Sequence, residues 1–202
     1  MHVRPIPLQQ KTLSASERDD TNRGVTSLIL GCMFSGKTTE LIFRVERYPA
    51  ERMLAIKHVV DTRFGRDAII SHAGKSLAAT PVSSSREILS LVDARTQVVA
   101  IDEGHFFDLE LVEVIEALND RGMNVVLTSL EPDSWARPFP LNNVLREHAA
   151  ECVLKTATCA RCGAAADRTQ RLTPVVAGNM VVNPSQYEPR CRGCWRAPSE
   201  IM

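Results

Sequence analysis

The chain lacks an excess of charge of either sign. Its 202 residues carry 24 basic and 24 acidic side chains. A protein devoted to nucleic acid usually carries a basic surplus, so nucleic acid is not an expected partner. No apolar run approaches the ~20 residues that span a bilayer, and no membrane contact is expected. The N-terminal segment has no apolar stretch of signal-peptide type, and Glu17, Asp19 and Asp20 do not suit a transit peptide. A cytoplasmic location is therefore expected. Aromatic residues are scarce, at 5%, and no internal repeat is present. The length allows one core of ordinary size and a small appendage.

Cysteine is present and patterned. Four of the six form two CxxC pairs, Cys159/Cys162 and Cys191/Cys194, while Cys32 and Cys152 stand apart. In an intracellular setting paired CxxC units read as zinc ligands before disulfides. Two such pairs close a four-cysteine structural Zn²⁺ site with no open position for catalysis. The 28 residues between Cys162 and Cys191 exceed a common ribbon spacing. The intervening loop must leave the metal and return to it, and a loop tied at both ends can cover a substrate.

The strongest signal is Ser27-Leu28-Ile29-Leu30-Gly31-Cys32-Met33-Phe34-Ser35-Gly36-Lys37-Thr38. An apolar strand runs into G-x-x-x-x-G-K-T, the phosphate-cradling loop. Gly31 and Gly36 permit the tight fold that points backbone N–H groups at phosphate oxygens. Lys37 supplies charge for the β- and γ-phosphates and Thr38 a hydroxyl for Mg²⁺. The helix that follows adds its positive dipole end. The pattern predicts binding of a nucleoside triphosphate with Mg²⁺.

Residues 1–24 are polar and read as a mobile tail. From Val25, strands (Met53–Val60, Gln97–Asp102, Asn124–Leu130, Cys152–Ala157) alternate with helices (Arg86–Ala94, Leu109–Arg121, near Asn142–His148). Gly122 suits a helix C-terminus. Residues 61–80 read as a loop with short strands. The alternation predicts an α/β fold: a P-loop NTPase-like, mostly parallel sheet flanked by helices, over residues 25–157. Residues 158–202, rich in Cys, Arg and Pro, form a small zinc-stapled unit.

Ligands of such sheets sit beyond the carboxyl ends of the strands. Asp102 ends one strand and can hold Mg²⁺; the adjacent Glu103 can take a proton from an alcohol. Asp61-Thr62-Arg63 ends another, where an Arg can neutralise a transferring phosphoryl group, or simply pair with Asp61 in a loop. Phe106-Phe107 suggests one ring in the core and one facing a ligand, although periodicity alone places both in the core.

These motifs, in this order, resemble the type II, zinc-containing thymidine kinases. The match runs from Val25 to Cys194. It includes Gly31–Leu41, Asp61-Thr62-Arg63-Phe64 with Ser71-His72, and Ile101-Asp102-Glu103-Gly104-His105-Phe106-Phe107. Pro138-Phe139, Thr169-Gln170-Arg171-Leu172 and Tyr187-x-x-x-Cys191-Arg192-x-Cys194 complete it. The resemblance implies transfer of the ATP γ-phosphoryl group to the 5′-hydroxyl of thymidine, with a zinc-stapled lasso. It implies Glu103 as base and Arg63 beside the transferred group. The donor and Mg²⁺ would be held by Gly31, Met33, Phe34, Ser35, Gly36, Lys37, Thr38 and Asp102. The nucleoside would be held by Met33, Asp61, Phe106 and Tyr187, and zinc by the four paired cysteines. It also implies a homotetramer with end-product inhibition.

Three departures fall on the nucleoside side. Ser134 replaces an aromatic, with Trp135 next to it. Val182-Asn183-Pro184-Ser185 replaces a Gly-rich stretch, and His105 stands where Gln is usual. The alternatives are therefore a kinase for another nucleoside, such as deoxyuridine, or a non-enzymatic ATP-binding zinc protein. The local Arg content of the C-terminal part keeps the latter in view.

Overall fold

A computed structural model describes residues 22–62, 65, 67–72, 74–174 and 183–198. Most of the expected tail, residues 1–21, lies outside the described residues.

In chain order the elements are β1 (Thr26–Gly31), α1 (Lys37–Val45), β2 (Met53–His58), β3 (Ala68–Ile70), β4 (Ser76–Ala78), β5 (Thr80–Val82) and α2 (Ile88–Leu91). There follow β6 (Val98–Asp102), α3 (Glu110–Asp120), β7 (Asn124–Leu130), α4 (Pro140–His148) and β8 (Glu151–Lys155). The chain closes with β9 (Ala157–Thr158), β10 (Ala165–Ala166), β11 (Arg168–Arg171) and β12 (Tyr187–Arg190).

Six strands form one sheet in the order β5-β2-β6-β7-β1-β8. Every pairing in it is parallel. Side chains alternate faces along a strand, and both faces of a parallel sheet are covered. That explains the unbroken apolar runs. Leu28, Leu30, Ile56, Val99, Ile101, Val125 and Leu127 face one core with Leu111, Ile115 and Leu118 of α3 and Leu141 and Leu145 of α4. Ile29, Ala55, Val98, Ala100 and Val126 face the other, under Leu41, Ile42 and Val45 of α1.

The expected helix over Arg86–Ala94 is shorter. A 3₁₀ turn at Ser85–Glu87 leads into α2, Val92 is already extended, and Leu91 is 40% exposed. Asp93 stops the helix: its carboxylate accepts the Arg95 and Thr96 N–H groups at 2.9 and 3.1 Å. A side chain that captures backbone donors in this way competes with helical bonding. The expected last strand also divides. β8 stays in the main sheet, and β9 pairs antiparallel with β10.

Beyond the sheet, β11 pairs with β12, and β3 with β4. The carboxyl ends of β1, β2, β6 and β7 converge on one edge, which carries the motif residues.

Candidate active site

Gly31 ends β1 and Lys37 opens α1, so the loop between them lies at the start of a helix. Gly36 sits at φ +79° with no side-chain cap above it, leaving the first helical N–H groups facing outward. Phe34 also takes a positive φ of 66°. The loop is braced through one carbonyl. Cys32 O accepts from Ser35 Oγ at 2.8 Å and from Lys37 Nζ at 3.0 Å. Burial holds the Cys32 thiol above its ordinary value despite nearby Lys37.

The carboxylates of β6 are organised by β7. Thr128 Oγ1 donates to Asp102 Oδ1 at 2.5 Å and accepts the Glu103 N–H at 3.0 Å. Asp102 in turn accepts from Thr38 Oγ1 at 3.2 Å. Thus the first turn of α1, the end of β6 and the middle of β7 meet at one hydroxyl–carboxylate cluster. Glu103 turns the chain at φ 53°, ψ 51°, a conformation uncommon for a residue with a side chain. Glu103 Oε2 lies 3.4 Å from His105 Nδ1, which accepts the Leu130 N–H at 3.2 Å.

The cleft is walled by the loop residues Met33 to Thr38, by Lys57, Asp61, Ile70 and His72, and by Asp102 and Glu103. The structure brings Met33 to Thr38, Asp61, Asp102 and Glu103 together around one cleft. Phe106 stands apart from these walls; it is half-buried between His105 and His58, with ring centroids at 4.2 and 6.4 Å. Its neighbour Phe107 is in the core. Tyr187 also stands apart, and its hydroxyl accepts from Arg171 at 3.2 Å. Arg63 and Val182 lie outside the described residues.

Two contributors escaped sequence reading. Thr128 is a Thr inside an apolar strand and looks like any β-former. Lys57 is a buried lysine at the end of β2; its only sequence signal is a cation following an apolar run.

The four paired cysteines converge, with all Sγ atoms within 4.8 Å of one another. A tetrahedral ion with metal–sulfur bonds near 2.3 Å sets sulfur–sulfur edges of about 3.8 Å. The Cys162–Cys191 separation of 3.6 Å fits this, and the donor set suits structural zinc. Backbone N–H groups, chiefly that of Cys191, lower the Cys159 thiol to about 6. Hydrogen bonding to the neighbouring sulfurs of Cys162 and Cys191 pushes Cys194 up to about 12. Four sulfurs this close cannot all ionise without a cation between them.

This unit touches the loop directly. Met33 N–H donates to Thr169 Oγ1 at 3.1 Å, and Cys32 Sγ to Ala166 O at 3.3 Å. Trp195 Nε1 donates to Ser134 O at 3.3 Å. Trp135 stacks under Arg137, 4.8 Å from its guanidinium carbon.

A parallel sheet, a glycine-bounded loop opening a helix, and a carboxylate on a nearby strand end define a P-loop nucleotide-binding protein. The model of the thymidine kinase family matches residues 24–195. A thymidine kinase of Mesoplasma florum is 39% identical over 191 residues, covering 86% of this chain and 92% of that protein. The chain belongs to the thymidine kinase family. The family implies ATP and a divalent metal, and the cysteine cluster is compatible with zinc. Among the described residues no helix is long and apolar enough to cross a membrane.

Proposed function

We propose that the protein transfers the γ-phosphoryl group of ATP to the 5′-hydroxyl of thymidine, giving thymidine monophosphate and ADP. The observation that carries this reading is that Glu103 and Asp102 line the same cleft as the phosphate loop. Membership of the family supports the choice of nucleoside.

Residues 31–38 bind the donor phosphates through backbone N–H groups, the Lys37 ammonium and the helix dipole. Thr38 and Asp102 would hold Mg²⁺, which when bound neutralises phosphate charge. Glu103 accepts the 5′-hydroxyl proton as the O5′–Pγ bond forms. The bond from Pγ to the bridging oxygen breaks, and ADP leaves with that oxygen. Arg63 neutralises charge on the transferring group. Met33, Asp61, Phe106 and Tyr187 hold the nucleoside. Cys159, Cys162, Cys191 and Cys194 hold a structural Zn²⁺, and the working form is a homotetramer.

A second reading keeps the reaction and changes the nucleoside. It is favoured by Ser134, which is buried and presents its carbonyl to Trp195, while the neighbouring Trp135 ring stacks with Arg137. Both readings are tested with the zinc-loaded protein, Mg-ATP and a panel of deoxynucleosides, following ADP and 5′-monophosphate. Turnover with thymidine supports the first reading. Turnover confined to another nucleoside supports the second. ATP binding without turnover overturns both.

A further inference from the structure

Lys57 is 2% exposed, and among the described residues no fully buried side chain is larger. Lysine is rarely buried to this degree unless paired, because an unpartnered ammonium in the interior carries a desolvation penalty of several kcal/mol. It occupies a β2 position that is paired in register with Asp102 on β6. An apolar residue would fill such a core position at no electrostatic cost. Lysine there calls for a task.

Its partners define the task. The ammonium has three N–H donors. It donates to Gly65 O at 3.0 Å and to Ala68 O at 3.2 Å, and pairs with Asp61 Oδ2 at 3.6 Å. All three acceptors belong to the segment 61–68, which leaves β2 and returns to form β3. Lys57 thus holds that segment at its beginning, middle and end from a single point within the sheet. The segment contributes Asp61 to the cleft wall and leads into Ile70 and His72 of the same wall. Lys37, not Lys57, lies in the phosphate loop.

We infer that Lys57 is a positioning residue for phosphoryl transfer. It fixes Asp61, Gly65 and Ala68 against the sheet, so that Asp61 stands preset in the cleft wall. Transfer by this chemistry depends on positioning and fixed charge more than on covalent steps, and misplacement by about 1 Å costs about 10²-fold. The inference rests on the reading of the cleft as a kinase site.

The test compares wild type, Lys57→Met and Lys57→Arg as zinc-loaded full chains. The readouts are kcat, KM for ATP, Mg-ADP affinity by calorimetry, and amide exchange of residues 61–72. Lys57→Met should lower kcat about 10²-fold while Mg-ADP affinity stays within about threefold. Exchange should accelerate over residues 61–72 and stay slow in α1. Lys57→Arg should recover about tenfold of the lost kcat, because a cation is restored. A Lys57→Met kcat within about threefold of wild type overturns the inference, as does loss of Mg-ADP affinity matching the loss of kcat. Should Lys57→Met fail to fold, Lys57→Gln keeps a polar head but no cation. Its kcat must fall at least about tenfold with Mg-ADP affinity kept, and a value within about threefold of wild type overturns the inference. If wild type itself phosphorylates no nucleoside, the kinase reading fails, and the exchange data decide separately: unchanged protection of residues 61–72 in the folded variant overturns the holding role.

Discussion

Thr128 joins Asp102 to Glu103: one hydroxyl donates to the carboxylate of the first at 2.5 Å and accepts the backbone N–H of the second at 3.0 Å. Thr128 is fully buried, and its hydroxyl is the partner that the two residues share. Thr128→Val keeps the shape and removes the hydroxyl. Leaving buried groups unsatisfied costs about 1–3 kcal/mol, and the variant should lose stability of that order in denaturant titrations. Its kcat should fall as well, because the carboxylate pair loses its common support. Thr128→Ser should keep most of both.

Glu103→Gln retains size and removes the acceptor for the 5′-hydroxyl proton. General-base catalysis contributes about 10²–10⁴-fold, so kcat should drop by that factor. Mg-ATP affinity should be unchanged within about twofold. Steady-state ADP release and nucleotide titration check this. Turnover near wild type would remove Glu103 from the role proposed for it.

The two loop glycines should respond differently to alanine. A Cβ on Gly31 would stand 2.4 Å from Lys155 O and 2.7 Å from Ser35 Oγ, so backbone would have to move. A Cβ on Gly36 meets nothing within 4 Å, leaving only the strain of φ +79°. Gly31→Ala should destabilise by several kcal/mol, Gly36→Ala by about 1 kcal/mol. Thermal melts of the nucleotide-free protein separate the two. Both should weaken ATP binding.

Removal of zinc should unravel one part of the molecule first. Structural zinc supplies about 10–16 kcal/mol of apparent folding free energy to small modules. After chelation, amides of residues 157–171 and 183–196 should exchange freely while the six-stranded sheet stays protected. Mg-ADP affinity should fall as Met33 loses Thr169. Amide exchange and calorimetry on the same sample test this, and readdition of Zn²⁺ should reverse it.

Arg44 gives the acid response. It bonds Glu40 at 2.9 Å and Glu151 at 2.5 Å, clasping α1 to β8. Hydrogen bonding to Arg44 is the leading cause that holds both carboxyls below their ordinary 4.5. Their contribution is present above about pH 4.5 and is lost as the pH falls through their lowered values. Arg44→Ala should therefore be less stable than wild type at pH 7, with the gap narrowing by pH 3. Denaturation midpoints at the two pH values measure it.

The legible parts were those in which one local pattern implies one conformation. Apolar runs marked β1, β6 and β7, the G-x-x-x-x-G-K-T spacing marked the loop, and two CxxC pairs marked the cysteine cluster. The helix over residues 86–94 misled because Ile88, Leu89, Leu91 and Val92 carry helical spacing, while the Asp93 side chain diverts the backbone at its end. Thr128 and Lys57 were hidden for another reason. Thr128 depends on a partner 26 residues away, brought close by the pairing of β6 with β7, and Lys57 on partners 4, 8 and 11 residues on, brought close as the chain returns into β3. Thr169 shows the same limit: its hydroxyl reaches Met33 across 136 positions.

That last contact bears on how the protein is made. Domains commonly fold as they emerge, N-terminal part first. Here Cys32 and Met33 bond to partners 134 and 136 residues later. A nascent chain can lay down β1 and α1 early, yet its nucleotide loop stays unbraced until the segment around Ala166 and Thr169 has left the ribosome. Competence to grip a nucleotide thus arrives near the end of synthesis, so that truncated products still carrying the loop sequence would lack its finished shape.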